Sequence, residues 1–210
     1  EHSTGAAAIM VNEQSGANAI NVFPGAAGAI TNSDIDKAEE AIKNSKIFLT
    51  QLEAPKDTVM YAIKKAKELG VDTILNPAPA ADIDESIFPF IDYFTPNETE
   101  ASFYVNHPVE THDDASKAAK TLLDMGIKNV IITLGEKGAY FANANETFSS
   151  PIANLSNPVV DTTGAGDAFN AGFAAALTED QNIKDAISFA SATAGLSTTK
   201  IGRSEERRVG

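Results

Sequence analysis

The chain of 210 residues contains no cysteine. Disulfides, thiolate-bound zinc and thiol catalysis are therefore excluded. Histidine is nearly as scarce: His2, His107 and His112 are the three present, and they show no metal-ligand spacing. Positive charge is in short supply. Against 29 Asp and Glu stand 16 Lys and Arg, giving a formal net charge of −13 and a pI near 4.5. That balance argues against nucleic-acid or anionic-membrane partners, while a helix N-terminus can still hold a phosphate locally. No apolar run approaches the roughly 18 residues of a membrane span, and no signal peptide is visible, so the default expectation is a cytoplasmic protein. The P-loop pattern, with its paired Lys and Ser/Thr, is absent. So is a G-x-G-x-x-G at a first strand–helix turn, which ranks a dinucleotide dehydrogenase low. There is no solenoid repeat and no low-complexity linker.

What is present is an alternation. "AAAIMV" (6–11) and "AINVF" (19–23) read as strands of a hairpin around Gly16. "SDIDKAEEAIKNS" (33–45) reads as a helix capped by Ser33 or Asp34, with Ile35, Ala38 and Ile42 on one face. Strands follow at 46–53, 71–76, 91–96 and 128–135, and "GAYFAN" with "ETFSS" reads as a small hairpin. Between and after them come helices at 55–70, from "NETEASF" onward, at 112–126, 165–177 and 182–200. Strands alternating with helices of this length imply βαβ units and a mainly parallel sheet. Ligands of such sheets bind beyond the carboxyl ends of the strands. The unusual residues fall there: Glu53, Asn76, Asn97, Glu100, Gly135, and the run from Asp161 to Asp167.

Each admits two readings. In "VVDTTGAGDAFNAGF", Gly164, Ala165 and Gly166 let backbone N–H groups converge at a helix N-terminus, an anion hole suited to a phosphoryl group in transfer. Asp167 beside them either caps that helix or accepts a proton from a substrate hydroxyl. In "TPNETE", Asn97 and Glu100 form a capping box, or a carboxylate site for hydrated Mg²⁺. The glycine-bearing loop Thr133–Gly138 is a hairpin turn or the flank of a nucleotide. Glu53 in "QLEAP" and Asn76 in "NPAPA" are surface polar groups, or ligands for sugar hydroxyls and phosphate.

Taken together in chain order, "STGAAAIMVNE", "PGAAGA", "QLEAP", "NPAPA", "TPNETEA", "ITLGEKGA" and "DTTGAGDAFNAGF" resemble the ribokinase-like (PfkB-type) carbohydrate kinases. The resemblance runs from about Ser3 to Gly202, so residues 1–202 are expected to form the kinase domain and 203–210 an atypical tail. It implies a three-layer α/β/α sandwich with an N-terminal β-lid hairpin. It also implies transfer of the γ-phosphoryl group of ATP to a sugar's primary hydroxyl, with D-ribose to ribose 5-phosphate the first expectation. Fructose, 2-keto-3-deoxygluconate, a nucleoside, or a non-catalytic binding fragment are the alternatives. Mg²⁺ and K⁺ are the implied ions, and a homodimer through the lid is an implied partner.

Carried over by resemblance, Asp167 is the catalytic base and Gly164, Ala165 and Gly166 the anion hole. Glu53 contacts the sugar, with Ala7 and Ile9 in the lid. Asn76, Thr133, Leu134, Gly135, Glu136, Lys137, Gly138 and Ser191 belong to nucleotide binding, together with Gly166 and Asp167. Asn97 and Glu100 are Mg²⁺-related, and Asp161, Thr163, Ser197, Lys200 and Gly202 are K⁺-related. The family's N-terminal third, with its sugar-binding Asp and Gly-Gly-Lys-Gly-Ala-Asn-type loop, has no counterpart here, nor has its final helix. The chain as written is therefore expected to be unstable or weakly catalytic.

Overall fold

The computed structural model describes residues 2–11, 18–155 and 157–200. The turn of the N-terminal hairpin, Gly202 and the 203–210 tail lie outside them. Strands β1 (Ala6–Val11) and β2 (Asn18–Phe23) pair antiparallel, Ala6 opposite Phe23, as a two-stranded sheet of their own. A 3-10 turn (Gly25–Ala29) leads to the body.

The body is built on a six-stranded sheet in the order β3-β4-β5-β6-β7-β8. Strands β3 (Ile47–Thr50), β4 (Asp72–Leu75), β5 (Tyr93–Phe94) and β6 (Asn129–Thr133) run parallel. The last two, β7 (Ala139–Asn143) and β8 (Thr147–Ser150), add antiparallel. Side chains alternate across a strand, and the two cores obey that alternation. Leu75, Phe94, Val130 and Ile132 face one side, where α3 (Lys56–Glu68), α4 (Glu98–Val105) and α5 (His112–Asp124) cover them. Ile74, Ile131 and Phe141 face the other, against Phe169 and Phe173 of α6 (Ala165–Thr178) and Ile187 of α7 (Ile183–Ser197). This is the three-layer sandwich that the family resemblance implies, on the mainly parallel sheet expected from the alternation of elements. Gly172 lets α6 and α7 approach: a Cβ there would stand 2.8 Å from Thr193 Oγ1.

Several element boundaries differ from expectation. The helix over 33–45 is two helices, α1 (Asn32–Lys37) and α2 (Glu39–Lys43), parted at Ala38. The Ala38 N–H reaches both Asp34 O at 3.2 Å and Ile35 O at 3.0 Å, a 3-10 tightening that turns the chain. The break leaves Ile35 and Ile42 both packed on one small cluster with Ala66 and Val71. The cap is Thr31, not Ser33 or Asp34. Its hydroxyl donates to the Asp34 carboxylate at 2.7 Å, so Asp34 is the reaching-back member of the box. Strand β3 stops at Thr50 rather than at 53, which puts Glu53 on a turn. Helix α7 ends at Ser197, not 200. Among the described residues no helix is long and apolar enough to cross a membrane.

At the amino ends of β4, β5 and β6 sits one buried carboxylate. Asp92, 5% exposed, accepts from Lys67 Nζ at 2.7 Å, Lys128 Nζ at 2.8 Å and the Thr73 N–H at 2.9 Å. Burial by itself would raise this carboxyl. Lys128, Lys67 and the Thr73 N–H outweigh it and hold Asp92 below the usual aspartate range.

Candidate active site

The opposite, carboxyl edge of the sheet carries the site. Helix α6 begins where Gly164 adopts the left-handed conformation (φ 76°), which a glycine accepts without strain. Asp167 follows in the first turn, where the helix dipole favours a carboxylate. It is exposed and lines a cleft of about 530 Å³ shared with Glu53, Gln51, Asn170 and Ala27. The chain thus brings Glu53 and Asp167, 114 residues apart, to one opening. Of the three small residues before Asp167, Ala165 spends its N–H on Thr162 O at 3.2 Å. Gly166 differs: a Cβ there would meet nothing within 4 Å, so the position borders open space that a ligand can fill.

Asn76 does not stand free at its strand end. It is buried, accepts from Gln51 Nε2 at 2.7 Å, and donates to Thr95 O at 2.8 Å. Gln51 Nε2 also donates to Asp167 Oδ1 at 3.0 Å. Thr95, 2% exposed, donates its hydroxyl to Asn170 Oδ1 at 2.7 Å, and Asn170 Nδ2 donates to Gly166 O at 2.9 Å.

Asn97 and Glu100 form a complete capping box on α4. Asn97 Oδ1 accepts the Glu100 N–H at 2.8 Å, while Asn97 N and Nδ2 donate to the two Glu100 oxygens at 2.8 and 3.0 Å. Glu100 is only 7% exposed. Burial, opposed by the Asn97 N–H and reinforced by Glu98, raises its carboxyl above the usual range. Among the described residues no three His, Asp or Glu gather as a metal cage. Both Glu100 oxygens are engaged by Asn97, so a cation here would meet this carboxylate only through lone pairs beyond those two bonds.

The loop after β6 is less uniform than its sequence. A β-bridge joins Thr133 to Asn97, so this loop and the α4 cap are neighbours. Gly135 and Glu136 are exposed. Leu134 is core, 1% exposed, and Lys137 turns away to donate to Glu110 O at 2.7 Å. Gly138 is demanded by packing: φ is 88° and a Cβ would lie 2.1 Å from Ser150 O. Ser191 is half-buried midway along α7. The Asp161 loop and the end of α7 are joined, because Thr198 O accepts both the Val160 N–H at 2.8 Å and the Asp161 N–H at 3.1 Å. Asp161 Oδ1 in turn accepts the Thr163 N–H at 2.9 Å. Ser197 donates its hydroxyl to Ala194 O at 2.7 Å, and Lys200 is exposed just beyond. Ala7 and Ile9 are exposed on β1, and it is Ala27, from the following turn, that lines the cleft.

A family model for pfkB family carbohydrate kinases matches residues 1–207. The chain belongs to that family. A ribokinase of Staphylococcus aureus is 39% identical over 203 residues, covering 96% of this chain and 66% of that protein. A deoxyribokinase of Salmonella typhi is 38% identical over 201 residues, covering 95% of this chain and 65% of the relative. The structure of Arabidopsis thaliana ribokinase complexed with ribose and ATP superposes with a TM-score of 0.88 at 33% identity, covering 96% of this chain and 65% of that one. The chain thus spans about two thirds of the length of these pfkB-family relatives.

Three residues that line the cleft or bond to its walls escaped the reading of the sequence: Gln51, Thr95 and Asn170. A signal was there for two of them. Thr95 in "YFTP" and Asn170 in "DAFNAGF" are polar residues inside apolar stretches, and buried polar groups take partners. Gln51 lies two residues before Glu53 in the same "QLE", and nothing in that triplet marks it as the one that bonds Asp167.

Proposed function

We propose that the protein carrying this chain transfers the γ-phosphoryl group of ATP to the primary hydroxyl of a pentose, with D-ribose to ribose 5-phosphate as the first reading. The observation that carries it is the shared cleft. Glu53, suited to sugar hydroxyls, and Asp167, suited to take a hydroxyl proton, open onto the same space at the N-terminus of α6. In this reading the Asp167 carboxylate takes the proton as the hydroxyl oxygen bonds the γ-phosphorus. The bond from that phosphorus to the β–γ bridging oxygen breaks, and ADP leaves. The Gly166 and Asp167 N–H groups lie in the first turn of α6, where helix geometry supplies no internal acceptor, and face the charge that develops, while that of Ala165 is held by Thr162 O. Gly135 and Glu136, on the exposed part of the loop after β6, flank the nucleotide together with Ser191. Asn97 and Glu100 orient hydrated Mg²⁺, which supplies charge neutralisation at the phosphates. The Asp161–Thr163 loop with the end of α7 takes a monovalent cation, K⁺. Met10, Val22 and Phe23 are 61%, 52% and 64% exposed on the hairpin, consistent with pairing to a second copy.

2-Deoxy-D-ribose is the second reading, favoured by the deoxyribokinase relative at almost the same identity as the ribokinase. The test is ATP-dependent phosphorylation of D-ribose, 2-deoxy-D-ribose, D-fructose, 2-keto-3-deoxygluconate and a nucleoside, with parent and Asp167→Asn in parallel. We expect kcat to fall at least about 10²-fold in the variant, the lower end for a general base. Near-parental kcat in Asp167→Asn would remove Asp167 from the base role. No turnover on any of the sugars would sink the kinase reading.

A further inference from the structure

We infer that Gln51 is a positioning residue for Asp167, held in a fixed donor orientation by a chain of hydrogen bonds that starts at the main-chain carbonyl of Thr95. The inference rests on the reading of Asp167 as the base. The argument is one of polarity. A carbonyl oxygen can only accept. Thr95 O therefore requires the NH₂ end of Asn76, at 2.8 Å, and this leaves Asn76 Oδ1 facing Gln51. Gln51 must then present its own NH₂, and the second hydrogen of that group reaches Asp167 Oδ1 at 3.0 Å. A second arm leaves Thr95 by its hydroxyl and fixes Asn170 rather than Gln51: Gly166 O requires the NH₂ of Asn170, at 2.9 Å. Asn170 Oδ1 then faces the Thr95 hydroxyl, which donates at 2.7 Å. Reversing any amide would place donor against donor or acceptor against acceptor. Asn76 and Asn170 are at most 6% exposed, so water does not rescue their reversal, and the half-buried Gln51 takes its orientation from Asn76.

The chain of bonds ties the ends of β3, β4 and β5 to the first turn of α6, the turn that carries Asp167. It engages one oxygen of the carboxylate, which biases its orientation relative to the cleft. Outer partners that orient metal ligands are typically worth about 10- to 100-fold in activity, and the same scale is expected for a partner that orients a base.

The test is steady-state kinetics against pH with Gln51→Met, Gln51→Glu and Asp167→Asn. Gln51→Met should lower kcat about 10- to 100-fold while KM for sugar and for ATP stays within about threefold. Gln51→Glu keeps the shape but puts an acceptor against Asn76 Oδ1 and Asp167 Oδ1. Its acid limb in kcat/KM should move up by about one pH unit, as two close carboxylates share a proton. Glu53, the other titratable side chain lining the cleft, is retained in every variant. Parental kcat in Gln51→Met, or an unmoved acid limb in folded Gln51→Glu, overturns the inference. Should Gln51→Met fail to fold, the isosteric Gln51→Glu profile decides. If Asp167→Asn keeps parental kcat, the base reading fails by itself. Positioning is then judged by a crystal structure of Gln51→Met, where an Asp167 carboxylate in its parental orientation would refute it.

Discussion

Replacing Asp92 with Ala removes the one carboxylate that gathers three strands at the amino edge of the sheet. The loss can be worked from its partners. The Thr73 N–H, on a residue with no exposed surface, loses its acceptor, and an orphaned buried donor costs about 1–3 kcal/mol. The two ammonium groups fare better. Lys128 is 53% exposed and turns to water, and Lys67, 22% exposed, keeps Asp72 at 3.8 Å. Their share is therefore about 1 kcal/mol, in the range of partly hydrated pairs. The total of about 3 kcal/mol falls at the low end of what breaking a fully buried pair costs. For a chain of this length each kcal/mol moves the melting point by about 2–4 °C, so Asp92→Ala should melt about 6–12 °C lower.

The pH dependence of that loss has a definite sign. Asp92 in the folded state lies below the usual aspartate range, so its stabilisation is fully present above the unfolded value and disappears as pH falls through the folded one. Urea titrations of parent and variant between pH 3 and 8 should show a constant gap at neutral pH that closes below about pH 4. Ligand affinity per folded molecule should not change, because Asp92 sits at the sheet edge away from the cleft. A gap under about 1 kcal/mol at pH 7, or one that widens toward acid, would refute the reasoning.

Two further outcomes are expected. Glu100→Gln in metal-free buffer should show the reverse pH trend from Asp92. Burial raises the Glu100 carboxyl, so its contribution is largest below the unfolded glutamate value near about 4.3 and is lost as pH rises through the folded one. The parent–variant gap in urea titrations should shrink from pH 4.5 to 8, and a growing gap would contradict the buried capping box. Gly172→Ala should cost about 1–3 kcal/mol of stability, because the new methyl falls 2.8 Å from Thr193 Oγ1 and 3.2 Å from Ala190 Cα across the α6–α7 contact. A melting curve matching the parent would mean that the two helices separate without cost.

What could be read in the sequence, and what could not, divides along a physical line. The βαβ alternation was legible because it depends on apolar periodicity. Buried positions such as Leu75, Phe94, Val130 and Ile132 on one face, and Ile74, Ile131 and Phe141 on the other, are local properties of each strand. The break at Ala38 was not legible, since Ile35, Ala38 and Ile42 share a face of one straight helix equally well; the tertiary cluster with Ala66 and Val71 decides it. The same division holds at the site. Gly164–Asp167 announces itself locally, through a glycine at positive φ and an acid in the first turn of a helix. Gln51 does not, because its significance depends on which way the Asn76 amide, 25 residues away, is forced to point. That amide is set by Thr95 O, a main-chain carbonyl that no side-chain pattern encodes. The strand-end rule placed these residues at the carboxyl edge of the sheet, and the resemblance treated them as independent ligands. In the folded chain Asn76 Oδ1 already accepts from Gln51 and Asn76 Nδ2 already donates to Thr95 O, which leaves one lone pair and one amide hydrogen for a further partner. A partner that displaced Gln51 from Asn76 Oδ1 would loosen the bond to Asp167, whereas one that used the remaining amide hydrogen would leave it in place.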